Sequence, residues 1–393
     1  MTPAPEPSDV PDLPDVPDWD LDDATMRRTG SVKWTWQPGH VLPAWVAEMD
    51  VTPSAAIRAA LADALQRNAF GYPARDDVTG LPEATAAFLQ RRFSLTVDPR
   101  WVVLTGDVMA GVRLVLDTLC EKAPVVVPVP SYPPFLEVPG VTGRALVTVP
   151  CLGRELDLDA IGDALAGGAR TVLLSQPHNP LGRAFTVGEL AGLRDVVLAH
   201  GARVISDEIH APLVLDGARH VPYASIEGTA DHVTTVLAPS KAWNIPGLKC
   251  AQIIAGNGAD LAALRTVPLV ANHGTSSLGI VAGVAAYTHG EPWLDAALVH
   301  LAAQREAFGS LLAQHLPHVS WIPMEATYLA WVDARGTQLA DPAETALRDG
   351  QVMLHPGRLF GPGYDGFVRI NLATSRERLT RIVTALARAW PLP

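Results

Sequence analysis

Long apolar runs, paired cysteine motifs and clusters of basic residues are all scarce in this sequence of 393 residues. No uninterrupted apolar run approaches the roughly 20 residues that cross a bilayer, so we expect no membrane span. The three cysteines, Cys120, Cys151 and Cys250, lack the spacing of a zinc site or a disulfide framework, which favours a reducing cytoplasm. A net charge of −11 without a Lys/Arg stripe argues against nucleic-acid binding.

The N-terminal segment, residues 1–23, alternates proline with aspartate and glutamate. An acidic start without an apolar middle is unlike a signal peptide. Such a composition buries too little apolar surface to offset the entropy of ordering, so we predict a disordered tail. A partner-binding role for the tail is an alternative.

Short apolar runs alternate with helical periodicity from Val46 onward, which predicts an α/β fold with a mostly parallel central sheet. The apolar runs expected to be strands lie at residues 101–104, 125–129, 171–174, 203–205, 234–237 and 251–255. We predict an arm at residues 24–50, a large domain at 51–288 and a smaller α/β domain at 289–393. Ligands of such sheets bind beyond the carboxyl ends of the strands.

Four polar clusters follow predicted strands: 175–183 (SQPHNPLGR), 206–210 (SDEIH), 238–244 (APSKAWN) and 369–373 (RINLA). Lys241, in the third cluster, is one of only four lysines. A lysine shielded from water loses its charge readily and becomes a nucleophile toward an aldehyde. Asp207 could pair with a protonated ring nitrogen, and a Schiff-base lysine plus such a carboxylate is what pyridoxal 5'-phosphate (PLP) requires. Taken singly, these residues are more often a solvated charge and a turn or helix cap.

The order of these clusters resembles the class I/II aminotransferases, which have the PLP-dependent transferase fold (fold type I). More narrowly, the chain resembles the MalY/PatB group of cystathionine beta-lyases. The narrower resemblance rests on 42–50 (LPAWVAEMD), 70–72 (FGY), 177–180 (PHNP), 207–210 (DEIH) and 327–331 (TYLAW). It extends from about Arg28 to the C-terminus.

The resemblance implies a role for each matching residue. Lys241 would carry PLP as a Schiff base and act as the catalytic lysine, and Asp207 would pair with the pyridine nitrogen. Asn179 would bind the phenolic oxygen, and Arg369 would bind the substrate carboxylate, a task suited to the guanidinium fork. The other implied cofactor contacts are Val108, Met109, Tyr132, His210, Ser240, Lys249 and, from a second subunit, Tyr72. Trp45 and Tyr328 would line the substrate pocket.

Two positions depart from the pattern of many relatives, and a third separates this chain from the aminotransferases. Ala238 stands where many relatives have serine, and Lys249 stands where aminotransferases often have arginine. Both changes remove possible phosphate contacts. His210 stands where aminotransferases commonly have tyrosine, which fits the lyase group better.

The expected reaction is α,β-elimination of L-cystathionine or related cysteine S-conjugates to pyruvate, ammonia and a thiol. The resemblance also implies a homodimer. The first alternative is an aminotransferase, which uses the same lysine; the second is a regulatory protein that uses the fold to contact a partner. A complete set of Lys241, Asp207, Asn179 and Arg369 argues against the second alternative.

Overall fold

A computed structural model describes residues 15–392, and it contains three sheets surrounded by helices. The strands are β1 Leu42–Pro43, β2 Val102–Thr105, β3 Val125–Val129, β4 Leu146–Pro150, β5 Thr171–Ser175, β6 Arg203–Asp207, β7 Val233–Leu237, β8 Ala251–Ala255, β9 Ser320–Trp321, β10 Leu329–Asp333, β11 Val352–Met353, β12 His355–Pro356 and β13 Phe367–Asn371. The helices are α1 Asp23–Arg28, α2 Val32–Thr35, α3 Ala55–Gln66, α4 Leu81–Phe93, α5 Val108–Leu119, α6 Pro133–Val141, α7 Leu158–Ala166, α8 Val187–Ala199, α9 Gly258–Arg265, α10 Ser277–His289, α11 Glu291–His315, α12 Pro342–Gly350 and α13 Arg376–Ala389.

The central sheet has seven strands in the order β2-β8-β7-β6-β5-β3-β4. β8 runs antiparallel to both of its neighbours, and the remaining pairs are parallel. Strands β3, β5, β7 and β8 are buried along their whole length, because helices cover both faces of the sheet. The predicted α/β class with a mostly parallel sheet is confirmed.

The C-terminal part forms a four-stranded antiparallel sheet in the order β12-β13-β10-β9. Helices α11 and α13 pack together, and α13 also packs on α12. The predicted arm joins this part through β1, which pairs in parallel with β11. The pairing carries the segment after Leu42 toward β13, where Asn371 donates its backbone N–H to the carbonyl of Ala44.

The N-terminal tail is shorter than predicted. Trp19 is buried and stacks on His300 with a centroid distance of 4.0 Å. The carboxylate of Asp15 accepts from the backbone N–H of Ala55 at the start of α3 (2.7 Å). The prediction of a disordered tail is therefore wrong for residues 15–23, because one aromatic ring and one capping carboxylate anchor them. The rest of the predicted tail, residues 1–14, lies outside the described residues.

Within residues 15–392, no helix combines the length and the apolarity that crossing a membrane requires. The same part of the chain contains no group of three or more His, Cys, Asp or Glu side chains placed to hold a metal ion.

Candidate active site

Lys241 lies in the turn after β7, at the carboxyl edge of the central sheet. Its Nζ donates to the carbonyl oxygen of Ala47 across 2.9 Å. Burial lowers the pKa of Lys241 to about 8, and the positive charge of Arg369 acts in the same direction, while Glu48 opposes the shift. The neutral form of this amine, which a nucleophile or a base requires, is therefore far more populated near neutral pH than in an ordinary lysine.

Asp207 ends β6, the strand beside β7, and is almost fully buried. Its Oδ1 accepts from the backbone N–H of Ile209 (3.0 Å). Burial raises the pKa of Asp207 to about 7; the negative charge of Glu208 adds to this rise and the positive charge of Lys241 counteracts it. No cation of the described part of the chain contacts this buried carboxyl, so it favours a cationic ligand that would restore its charged form.

Arg369 is a buried cation whose hydrogen-bond partners are all neutral. Its Nη1 donates to Oδ1 of Asn179 (3.1 Å), and its Nη2 donates to the Trp45 carbonyl (2.9 Å) and to Nδ1 of His355 (2.9 Å). Its Nε has no partner, and no carboxylate within residues 15–392 forms a salt bridge with it. Burial lowers its pKa to about 10. A guanidinium in this state is a receptor for an anion.

The start of α5 forms the other end of the site. Asp107 is the N-cap and accepts from the N–H of Ala110 (2.8 Å), and the first helical bond joins Gly111 N–H to the Asp107 carbonyl. The N–H groups of Val108 and Met109 precede that bond and have no helical acceptor, so they suit an anion; the N–H of Met109 already helps to lower the pKa of the Asp107 carboxyl.

The turn before α5 leaves little room for a side chain. A Cβ added to Gly106 would lie 3.0 Å from the carbonyl oxygen of Gly274.

Lys249 forms an ion pair with Asp107 (Nζ to Oδ2, 2.8 Å), and its side chain is largely exposed. The predicted phosphate contact of Lys249 would therefore compete with this pair, and it stays a prediction.

Tyr132, His210 and Ser240 surround these groups. Tyr132 is half-buried after β3, and burial raises its pKa; Arg369 and Asp207 are the charges that influence it most. His210 is buried, burial lowers its pKa to about 3, and its Nδ1 has no hydrogen-bond partner among residues 15–392. Ser240 is partly exposed beside Lys241, and its carbonyl accepts from the N–H of Ile245 (3.0 Å).

The three remaining predicted residues, Tyr72, Trp45 and Tyr328, differ in how exposed they are to solvent. Tyr72 is fully exposed in the single chain. Trp45 is half-buried, with its carbonyl on Arg369 and its ring edge toward His355 at a centroid distance of 6.4 Å. Tyr328 is fully buried, and its hydroxyl donates to the Ala47 carbonyl (3.0 Å). Their predicted contacts with substrate and cofactor stay predictions.

Two residues of the site, His355 and Ala47, were not predicted from the sequence. His355 pairs with Arg369 in the β12–β13 register and accepts its Nη2 proton. Burial lowers the pKa of His355 to about 3, so the ring is neutral and can accept. Ala47 contributes only a backbone oxygen, and an alanine carbonyl leaves no signal in a sequence.

The aminotransferase class I and II family model matches residues 46–386. The chain belongs to this family. A cystathionine beta-lyase of Corynebacterium glutamicum is 39% identical over 92% of this chain and 96% of its own length. The cystathionine beta-lyase PatB of Bacillus subtilis is 34% identical, with coverage of 91% and 97%.

Solved structures agree with the family assignment. The crystal structure described as a PLP-dependent beta-cystathionase of Corynebacterium diphtheriae is 37% identical and covers 94% of this chain and 98% of that chain, with a TM-score of 0.91. The predicted transferase fold is confirmed by this similarity and by the family match.

Proposed function

We propose that the chain is a PLP-dependent carbon–sulfur beta-lyase that converts L-cystathionine or related cysteine S-conjugates into pyruvate, ammonia and a thiol. The observation that carries the proposal is that one site contains a half-buried lysine of lowered pKa and a buried arginine without an anionic partner among residues 15–392. An amino-acid substrate would provide a carboxylate that pairs with Arg369 and a Cα proton that Lys241 can remove. The family relatives named as cystathionine beta-lyases support this reaction.

The residues of the site fit PLP. The N–H groups at the start of α5 suit a phosphate, and Asp207 suits a protonated pyridine nitrogen. The amide of Asn179 suits the phenolic oxygen, and the unpartnered Nδ1 of His210 lies among the same buried groups. When bound, PLP supplies an electron sink for the negative charge that develops at Cα.

The side chains of the chain supply binding and proton transfer. Arg369 would exchange its bonds to the Trp45 carbonyl and His355 for the two oxygens of the substrate carboxylate, which fixes the orientation of Cα. Lys241, as the neutral amine, would remove the Cα proton. Loss of the thiolate from Cβ follows, and hydrolysis of the released product gives pyruvate and ammonia.

The test is a turnover assay with purified protein, PLP and L-cystathionine, without any keto acid. Equal amounts of pyruvate and free thiol over many turnovers are the expected result. If no pyruvate forms and amino transfer begins only after a keto acid is added, the chain is an aminotransferase. Absence of both reactions, with no cofactor bound, would favour the regulatory alternative.

We also propose that the enzyme is a homodimer. Phe70, Tyr72, Leu269 and Val270 are largely exposed. Their two segments lie near the start of α5: Ser277 of α10 donates to the Gly71 carbonyl (2.6 Å), and Asn272 donates to the carbonyl of Leu104 (2.9 Å). A second copy covering this surface would bring its Tyr72 to the phosphate end of the site.

Sedimentation of Val270→Asp tests the dimer. We expect the variant to be monomeric and to bind PLP weakly, because a charge in an apolar interface is costly. Val299→Asp is the matched control, since Val299 is also an exposed valine but lies on α11. A fully active monomer would contradict the proposal.

A further inference from the structure

The carbonyl oxygen of Ala47 accepts two hydrogen bonds from side chains that lie on different elements of the fold. Nζ of Lys241, after β7, donates across 2.9 Å, and the hydroxyl of Tyr328, just before β10, donates across 3.0 Å. A carbonyl oxygen has two lone pairs, so these donors satisfy it fully. The free amine of Lys241 and the buried phenol of Tyr328 therefore donate to the same oxygen.

The position of this oxygen is fixed by the backbone around it. Nδ2 of Asn371 donates to the carbonyls of Val46 (2.7 Å) and Glu48 (2.6 Å), the residues on either side of Ala47. The amide of Asn244 bonds both the N–H and the carbonyl of Met49 (2.8 and 2.9 Å). The segment 45–49 can leave this place only by breaking several partly buried hydrogen bonds, each of which resists loss without a replacement.

We propose that Tyr328 is a positioning residue for the catalytic lysine: by sharing the Ala47 carbonyl with Nζ of Lys241, its hydroxyl sets how strongly that carbonyl holds the free amine. The inference rests on the proposed function only where it takes Lys241 as the base of the reaction. The hydrogen bonds of Lys241 and Tyr328 to the Ala47 carbonyl do not depend on which reaction the protein catalyses.

The direction of the effect follows from the dipole of the phenol. The hydroxyl directs its positive end at the same oxygen that Lys241 uses, so it weakens the attraction of that oxygen for an ammonium group. Tyr328 remains a donor at all working pH values, because burial raises its pKa. Its hydroxyl thus favours the neutral amine, the form that removes a proton.

Other charges face the same amine and have to be held constant in a test. Glu48 and Asp207 favour the ammonium form of Lys241, whereas Arg369 and Lys249 disfavour it. A replacement of Tyr328 by phenylalanine changes none of these four residues and removes only the hydroxyl. A purely structural role for the hydroxyl would leave the titration of Lys241 unchanged.

The experiment measures the titration of Lys241 in the protein without PLP. Trace acetylation over a pH series modifies only neutral amines, and mass spectrometry reads each of the four lysines separately. Lys122, whose side chain is largely exposed, serves as the internal standard. In Tyr328→Phe we expect the midpoint for Lys241 to move upward by roughly 0.5 to 1 in pH, the effect of one hydrogen bond.

The matched control is Tyr364→Phe, because the Tyr364 hydroxyl also donates to a backbone carbonyl, that of Val129 (3.0 Å). This variant should leave the Lys241 midpoint unchanged. An unchanged or lowered midpoint in Tyr328→Phe, or an equal rise in both variants, would overturn the proposal.

A second measurement avoids any folding defect of the variant. Incorporation of 3-fluorotyrosine makes the phenols more acidic and hence stronger donors, so the Lys241 midpoint should fall, opposite to the effect of phenylalanine. The same labelling in Tyr328→Phe should have no effect on Lys241. A fall of equal size in the labelled variant would assign the effect to another of the six tyrosines and reject the proposal. Failure of the cystathionine assay would leave these titrations valid, so the two proposals fail separately.

Discussion

Arg369 donates from Nη1 to Oδ1 of Asn179 across 3.1 Å, although 190 positions separate the two residues. The contact joins β13 of the C-terminal sheet to the turn after β5 of the central sheet. It places the cation proposed to bind the substrate carboxylate beside the amide proposed to bind the cofactor. Substrate and cofactor would thus meet at the junction of the two sheets, where a shift of either part alters the geometry of both.

Replacement of Lys241 by alanine should abolish elimination and the visible absorbance of protein-bound PLP. The expected loss of activity exceeds a thousandfold, because the variant lacks both the nucleophile and the base. Absorbance spectroscopy and the pyruvate assay measure the two effects. Lys122→Ala is the control, since Lys122 is exposed and its Nζ donates to the carbonyl of Thr142 (2.8 Å). Retained turnover in Lys241→Ala would contradict the assignment of the base.

Replacement of Arg369 by lysine should raise KM while PLP binding is kept. A lysine keeps the charge but loses the two-pronged geometry, and hydrogen bonds to charged groups contribute about 1.5–3 kcal/mol. We expect kcat/KM to fall between roughly tenfold and a hundredfold. Arg335→Lys is the matched control, because Arg335 is exposed and pairs with Asp333 (2.6 Å). Similar kinetics for both variants would argue that Arg369 does not bind the carboxylate.

Replacement of Asp207 by asparagine should stabilise the protein without PLP, and more so at high pH. Burial raises the pKa of Asp207 from 3.8 to about 7, so folding favours its protonated form. The free energy of unfolding of the unsubstituted protein therefore falls as pH rises from about 4 to about 7, by up to about 4 kcal/mol. Asparagine is neutral throughout and escapes this loss.

Urea unfolding at pH 5 and pH 8 measures the effect of Asp207→Asn. The gain in stability over the unsubstituted protein should be larger at pH 8. A gain that is equal at both pH values, or larger at pH 5, would show that Asp207 does not titrate in this range. Binding of PLP to the variant should be weaker, because asparagine cannot balance a protonated pyridine nitrogen.

Replacement of Asp50 by asparagine should destabilise the arm that carries Ala47. Asp50 is fully buried and accepts from Lys33 (2.9 Å) and from Nε1 of Trp34 (2.7 Å), while Arg378 lies 3.6 Å away. Removing one partner of a buried ion pair leaves an uncompensated charge and costs about 3–5 kcal/mol. Chemical denaturation measures this loss. Asp63→Asn, at the exposed Asp63–Arg67 pair, should cost about 0.5 kcal/mol or less.

Equal stability of Asp50→Asn and Asp63→Asn would mean that the buried network does not anchor the arm. A loss in Asp50→Asn should be accompanied by weaker binding of PLP, because Lys33 also donates to the Glu48 carbonyl (3.0 Å), next to the oxygen that holds Lys241.

Most strands of the central sheet and the candidate site residues could be predicted from the sequence, because both leave local patterns. The apolar runs predicted six of the seven strands of the central sheet to within one or two residues, and the polar clusters after them include Lys241 and Asp207. The edge strand β4 was missed, because it is only partly buried and gives no continuous apolar run. The direction of β8 could not be predicted, since a buried strand has the same composition whichever way it runs. Trp19 was missed because a single aromatic residue in an acidic segment gives no periodic signal.

By itself the sequence determined the fold class and the family and identified the candidate site residues, because these depend on residue types and their spacing. Only the tertiary structure decided that Arg369 has neutral partners alone, that His355 accepts its proton, and that Lys241 and Tyr328 meet at one carbonyl. Those relationships join residues far apart in the chain and involve backbone oxygens that every residue type possesses. They arise from packing, which fixes distance, burial and hence pKa, and no pattern of residue types encodes them.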